Sequence, residues 1–138
     1  MCGFVGFTNY INNSNIVLEN MMNKIIHRGP DSGGTYIDDG IALGFRRLSI
    51  IDLAQGDQPI LNEDGSKVLL FNGEIYNFQS IREKLIAAGH KFKTKTDSEV
   101  LLHGYEEYGK NLLNMLRGMF AFVIWDKNTK ELFGARDF

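Results

Sequence analysis

The sequence predicts an α+β domain built mainly from antiparallel sheet. Three observations carry that expectation. Short apolar runs outnumber helical patterns, several of the runs come as pairs around turn signals, and no linker, repeat or low-complexity stretch interrupts the 138 residues. A chain of that length can enclose one domain with a sizeable core.

Each element has its own justification. Residues 3–9, GFVGFTN, are apolar and glycine-punctuated and read as a strand. Leu18, Met21, Met22, Ile25 and Ile26 recur at helical spacing, with Asn13, Ser14 or Asn15 available as caps, so a helix is expected over 14–26, stopping before Gly29-Pro30. TYID and IALGF flank Asp39-Gly40, a tight-hairpin dipeptide. LSIID at 48–52 reads as another strand, and NEDG at 62–65 as a turn. SKVLLFN follows as a buried strand expected to end at Asn72-Gly73. FQSIREKLIAAG is an amphipathic helix with Asn77 as its cap and Gly89 at its far end. FKTK at 92–95 reads as a short strand. Thr96 and Glu99 have capping-box spacing ahead of a helix over 97–108. MFAFVIWD and ELFGARDF form a hairpin around KNT.

Composition excludes several function classes. A net charge of −2 offers no basic footprint for nucleic acid. No run approaches the roughly 18 apolar residues of a membrane span, and no signal-peptide pattern opens the chain. A single cysteine excludes an internal disulfide framework or a multi-cysteine zinc site and fits a reducing, cytoplasmic setting. His27, His90 and His103 show no spacing that suggests a metal site or a Ser/His/Asp arrangement, so they read as structural or solvent-facing, and no metal is expected.

That cysteine, Cys2, follows Met1 directly. With Met1 in place it is an unpaired thiol at a chain end. With Met1 removed it carries a thiol and a free α-amine, whose reference pKa of ~7.7–8.0 leaves a useful neutral fraction to accept the thiol proton. Nucleophile and base would then come from one residue. An acyl-transfer site also needs an oxyanion pocket, and Asn72-Gly73 can offer a side-chain amide and a backbone N–H; the dipeptide can equally be a plain turn.

The segments CGFVGF, HRGPDSGG, RRLSIIDL, GDQPI, NGEIYN, TDSEV and RGMFAFVIWD stand in the order found in class II glutamine amidotransferases. The chain most resembles the glutaminase domain of glutamine-hydrolysing asparagine synthetases, and the motifs span nearly all of it. The resemblance implies an N-terminal nucleophile hydrolase fold, an αββα sandwich of mainly antiparallel sheets with flanking helices. It implies hydrolysis of L-glutamine to glutamate and ammonia through a thioester on Cys2. Asn72 and Gly73 match the oxyanion pair. Arg47 matches the arginine that holds the substrate α-carboxylate, and its planar fork suits that task. Asp97, with Glu74 nearby, matches the acid that binds the substrate ammonium. Arg28 and Asp31 in HRGPD are expected to be structural.

Together one fixed cation and one fixed anion would select a zwitterion. Each position also has a plainer reading: a surface arginine, a helix-N-terminal aspartate favoured by the dipole, a solvated glutamate. Relatives of this type continue beyond GARDF into a return strand and a synthetase domain, so 1–138 is expected to be one glutamine amidotransferase type 2 domain, incomplete at its C-terminus. An open strand edge there suggests homodimerisation. No cofactor is expected in this domain, ATP and magnesium belonging to the synthetase domain. Two functions follow: a glutaminase that passes ammonia to a synthetase domain or partner chain, or a catalytically silent module that binds glutamine or another chain.

Overall fold

Alternating small and apolar residues set the first sheet. In the computed structural model, which describes residues 2–9, 11–48 and 57–138, the GFVGFT run forms β1 (Gly3–Thr8). β2 (Ser32–Ile37) and β3 (Ile41–Arg47) form the expected hairpin. The strand order is β1-β3-β2 and both pairings are antiparallel, with Gly3 opposite Arg46 and Ser32 opposite Arg47. Asp38 closes the hairpin: its Oδ1 accepts the Gly40 and Ile41 N–H groups at 2.7 and 3.0 Å. The LSIID expectation falls largely on 49–52, outside the described residues.

Helix α1 (Ser14–Lys24) buries Leu18 and Met22 against Ala42, with Val5, Phe7 and Ile37 around them. Gly44 makes this approach possible, because a Cβ there would lie 2.7 Å from Met22 Cγ and Sδ. The helix stops short of the expected end and gives way to a 3₁₀ turn over Ile26–Arg28. Asn13 sits at the cap position in a left-handed conformation, φ 66°, and donates no side-chain cap; its carbonyl instead takes the Ile16 and Val17 N–H groups.

The chain divides into two units, Met1–Pro59 and Ile60–Phe138. The second contains a four-stranded antiparallel sheet of order β4-β5-β6-β7: Ile60–Leu61, Lys67–Ile75, Gly118–Asp126 and Glu131–Arg136. α2 (Phe78–Ala87) and α3 (Glu99–Tyr108) pack on it. Ile81 and Leu85 from α2 and Leu101 and Leu102 from α3 meet Leu69 and Phe122, all at most 2 % exposed except Phe71 beside them. Each such side chain contributes about 1.5–3 kcal/mol of burial, so this cluster is the main source of the unit's stability. β7 lies at one edge of the sheet.

Three local expectations in this unit are corrected. The strand through Asn72-Gly73 does not end there; it runs on to Ile75, with Asn72 opposite Ala121 and Gly73 opposite Phe120. FKTK forms no strand, because the Lys93 and Thr94 N–H groups donate to the buried Glu99 carboxylate at 2.9 and 2.6 Å. Glu99 therefore reaches past Thr96, and no capping box forms. Asn77 precedes α2 but does not cap it with its side chain. Its amide bridges a neighbouring loop, donating to Met115 O at 2.8 Å and accepting from Arg117 N–H at 2.9 Å.

Candidate active site

The six site residues proposed from sequence are divided between the units: Cys2 and Arg47 in the first, Asn72, Gly73, Glu74 and Asp97 in the second. Cys2 directly precedes β1 and is half-buried. Its sulfur lies against the Leu48 backbone, accepting from Leu48 N–H at 3.4 Å and donating to Leu48 O at 3.8 Å. Its carbonyl accepts from Arg28 Nε at 3.1 Å. Cys2 is thus held through both its sulfur and its carbonyl. Arg28 therefore has the structural role its motif implies, with a partner that lies 26 residues away and leaves no local trace in the sequence.

Pairing of β1 and β3 sets Arg47 at the end of the strand adjoining Cys2's. Alternation along β3 sends Arg46 and Arg47 to different clefts. Arg46 lines one with Leu18 and Met22 of α1. Arg47 lines another of about 260 Å³, with Ser32, Gly33, Gly34, Phe45, Asp57 and Gln58. The Arg47 side chain is 11 % exposed and donates to Asp57 Oδ1 at 3.1 Å, whereas the Asp57 side chain is 93 % exposed. A largely covered guanidinium facing a cleft with a carboxylate on it is chemically an acid-binding position. Asp57 is a contact that sequence reading missed, although GDQPI contains it.

In the second unit Gly73 carries a φ of 151°, a conformation L-residues avoid, and a Cβ there would lie 2.1 Å from Met119 O. Asn-Gly is therefore not a turn here but a distortion within a paired strand, which only glycine tolerates. Two residues on, Ile75 N–H donates to Asp97 Oδ2 at 2.7 Å, tying the residue ahead of α3 to the end of β5. Burial raises the Asp97 carboxyl above its ordinary range, against the Ile75 hydrogen bond, and the Glu74 charge pushes it further up. The Asp97 carboxylate with the Glu74 charge beside it forms an anionic spot that a cation would relieve.

A family model for a glutamine amidotransferase domain matches residues 1–138, the whole chain. The chain belongs to the glutamine amidotransferase family. Among curated relatives, this amidotransferase domain is 48% identical over 99% of its length to asparagine synthetase [glutamine-hydrolyzing] 1 of Bacillus subtilis, of which it spans 22%. It is 43% identical to asparagine synthetase [glutamine-hydrolyzing] 2 of Arabidopsis thaliana, again over 99% of the chain and 24% of the relative. It thus spans about a fifth to a quarter of these relatives' length. Among solved structures, the glutamine phosphoribosylpyrophosphate amidotransferase of Bacillus subtilis superposes with a TM-score of 0.77 at 24% identity, covering 99% of this chain and 37% of that one. That likeness shows the fold, the N-terminal nucleophile hydrolase type expected from the motifs, with antiparallel sheets and flanking helices.

Proposed function

We propose that this amidotransferase domain hydrolyses L-glutamine to glutamate and ammonia through a γ-glutamyl thioester on Cys2, supplying the ammonia for asparagine synthesis. The observation that carries the reading is the position of Cys2: second in a chain that matches a glutamine amidotransferase domain from end to end, with its sulfur and carbonyl both held.

Met1 must first be removed, which frees the α-amine of Cys2. The amine takes the thiol proton, and sulfur attacks the side-chain amide carbon. The Asn72 amide and Gly73 N–H are assigned to the resulting oxyanion, each such donor being worth ~2.7–4 kcal/mol. As the tetrahedral species collapses, the C–N bond breaks and the α-ammonium returns its proton to the leaving nitrogen, giving ammonia. Water then attacks the thioester, activated by the same amine, and releases glutamate with Cys2 regenerated. None of these steps needs a cofactor.

Arg47 is assigned to the substrate α-carboxylate and Asp97, with Glu74, to its ammonium. Asp57 now takes the Arg47 contact, and so exposed a carboxylate is held weakly enough for substrate to displace it. The ammonia acceptor is assigned to a synthetase domain or partner chain of the kind the relatives' names describe, where ATP and magnesium would be used, in the cytoplasm. Incubating the processed chain with glutamine should release glutamate and ammonia in equal amounts, and Cys2→Ala should reduce the rate at least about ten-thousandfold. Equal turnover by the variant would remove Cys2 from the mechanism.

A further inference from the structure

Away from those residues, the second unit gathers two histidines and four glutamates. His103 lies on α3, and Glu99 and Glu106, four residues before it and three after, share its helical face. His90 follows the end of α2, and Glu63 comes from the turn between β4 and β5. The His90 and His103 rings are 5.1 Å apart.

The atoms converge in an ordered way. His103 Nδ1 lies 3.1 Å from Glu106 Oε2 and 3.5 Å from Glu63 Oε2. His90 Nδ1 lies 3.8 Å from Glu106 Oε2 and 4.0 Å from Glu63 Oε1. One ligand atom from each of the four residues falls within 4.8 Å of every other. Zinc ligands at ~2.0–2.2 Å in a tetrahedron stand about 3.3–3.6 Å from one another, so a contraction of a few tenths of an ångström would close most of these edges.

The atoms turned away from the centre are also provided for. His90 Nε2 faces Glu107 Oε2 at 3.3 Å, and the 2 % exposed His103 presents Nε2, unbonded among the described residues, towards Glu99 Oε1 at 3.8 Å. Glu106 Oε1 accepts from Asn62 Nδ2 at 2.6 Å, and Glu63 Oε1, the oxygen on the His90 side, also accepts from Lys91 N–H at 3.2 Å. Carboxylates behind both imidazoles and a donor behind the Glu106 carboxylate are the outer contacts that orient metal ligands.

We propose that Glu63, His90, His103 and Glu106 form a structural zinc(II) site that ties the β4–β5 turn and the end of α2 to α3. Two imidazoles and two carboxylates suit zinc and its tetrahedral analogue cobalt(II) better than magnesium or calcium, which prefer all-oxygen sets. Glu106, Glu99 and Glu63 surround the buried His103 with carboxylates, so the centre carries more negative charge than the two imidazoles can balance.

The test uses the intact chain, stripped of metal, and titrates zinc(II) and cobalt(II) alone. Zinc should bind with one equivalent and a Kd of ~1 μM or tighter. A hundredfold excess over Kd should raise the melting temperature by a few degrees. Cobalt should give the intense visible bands of a tetrahedral ion without thiolate charge transfer. His90→Ala and Glu63→Gln, both at the accessible side of the cluster, should each weaken zinc binding at least about tenfold with unchanged circular dichroism. Cys2→Ala should leave it unchanged. Lack of stoichiometric binding at ~100 μM overturns the proposal, as does binding unaffected by both ligand variants or lost in Cys2→Ala.

Discussion

Single residues of the second unit carry opposite stability costs. Gly73→Ala forces a side chain into a φ of 151° and against Met119 O. Its folding free energy, measured by chemical denaturation, should drop by about 2–4 kcal/mol, whatever happens to activity. Asp97 should behave in the opposite sense. Its carboxyl is raised by burial and by Glu74, so ionising it costs stability: no penalty applies below the ordinary carboxyl range, and the full penalty applies above the raised value. Asp97→Asn should therefore leave the melting temperature at neutral pH unchanged or higher, while raising KM for glutamine at least about tenfold. In the unaltered protein, glutamine binding should weaken as pH falls, starting above the ordinary carboxylate range. A KM that is flat with pH and unmoved by the variant would detach Asp97 from the substrate ammonium.

Among elements, the hairpins and amphipathic helices were legible because their signals are local: alternation, Asp-Gly and Asn-Thr turn residues, 3.6-residue spacing. What failed was the termini and connections, where tertiary partners compete for the same groups. FKTK has strand composition, but its amides are taken by Glu99, and Asn77 prefers the Met115–Arg117 loop to a helix end. Glu99→Ala should accordingly cost about 2–4 kcal/mol, because two backbone donors and the Thr94 hydroxyl lose a buried acceptor. Asp126 is a gentler case at the β6–β7 turn. Burial would raise its carboxyl, but the Thr129 and Asn128 amides and Lys67, 3.2 Å away, hold it below the usual range. Its contribution is therefore present above the ordinary carboxyl range and is lost as pH falls through the depressed value. Asp126→Asn should flatten that acid limb of a pH–stability curve and leave the slope near neutrality unchanged.

For the molecule as a whole, the fold class and the amidotransferase family were readable from seven ordered motifs that span nearly the whole chain. Division into two units, the Arg47–Asp57 pair and the His–Glu cluster were not readable. Each depends on contacts between positions distant in sequence or on a cleft that no periodicity encodes; only His103 and Glu106, three apart on one helix, left a local trace. The central claim concerns a covalent bond to one atom. It is tested most directly by mixing the chain with excess glutamine, quenching in acid within the first turnover, and measuring intact mass. The account predicts a species that lacks Met1 and is heavier by one γ-glutamyl group, with the adduct mapped to Cys2 and absent from Cys2→Ala. Glutamate release with no adduct on Cys2, or turnover by a chain that keeps Met1, would contradict it.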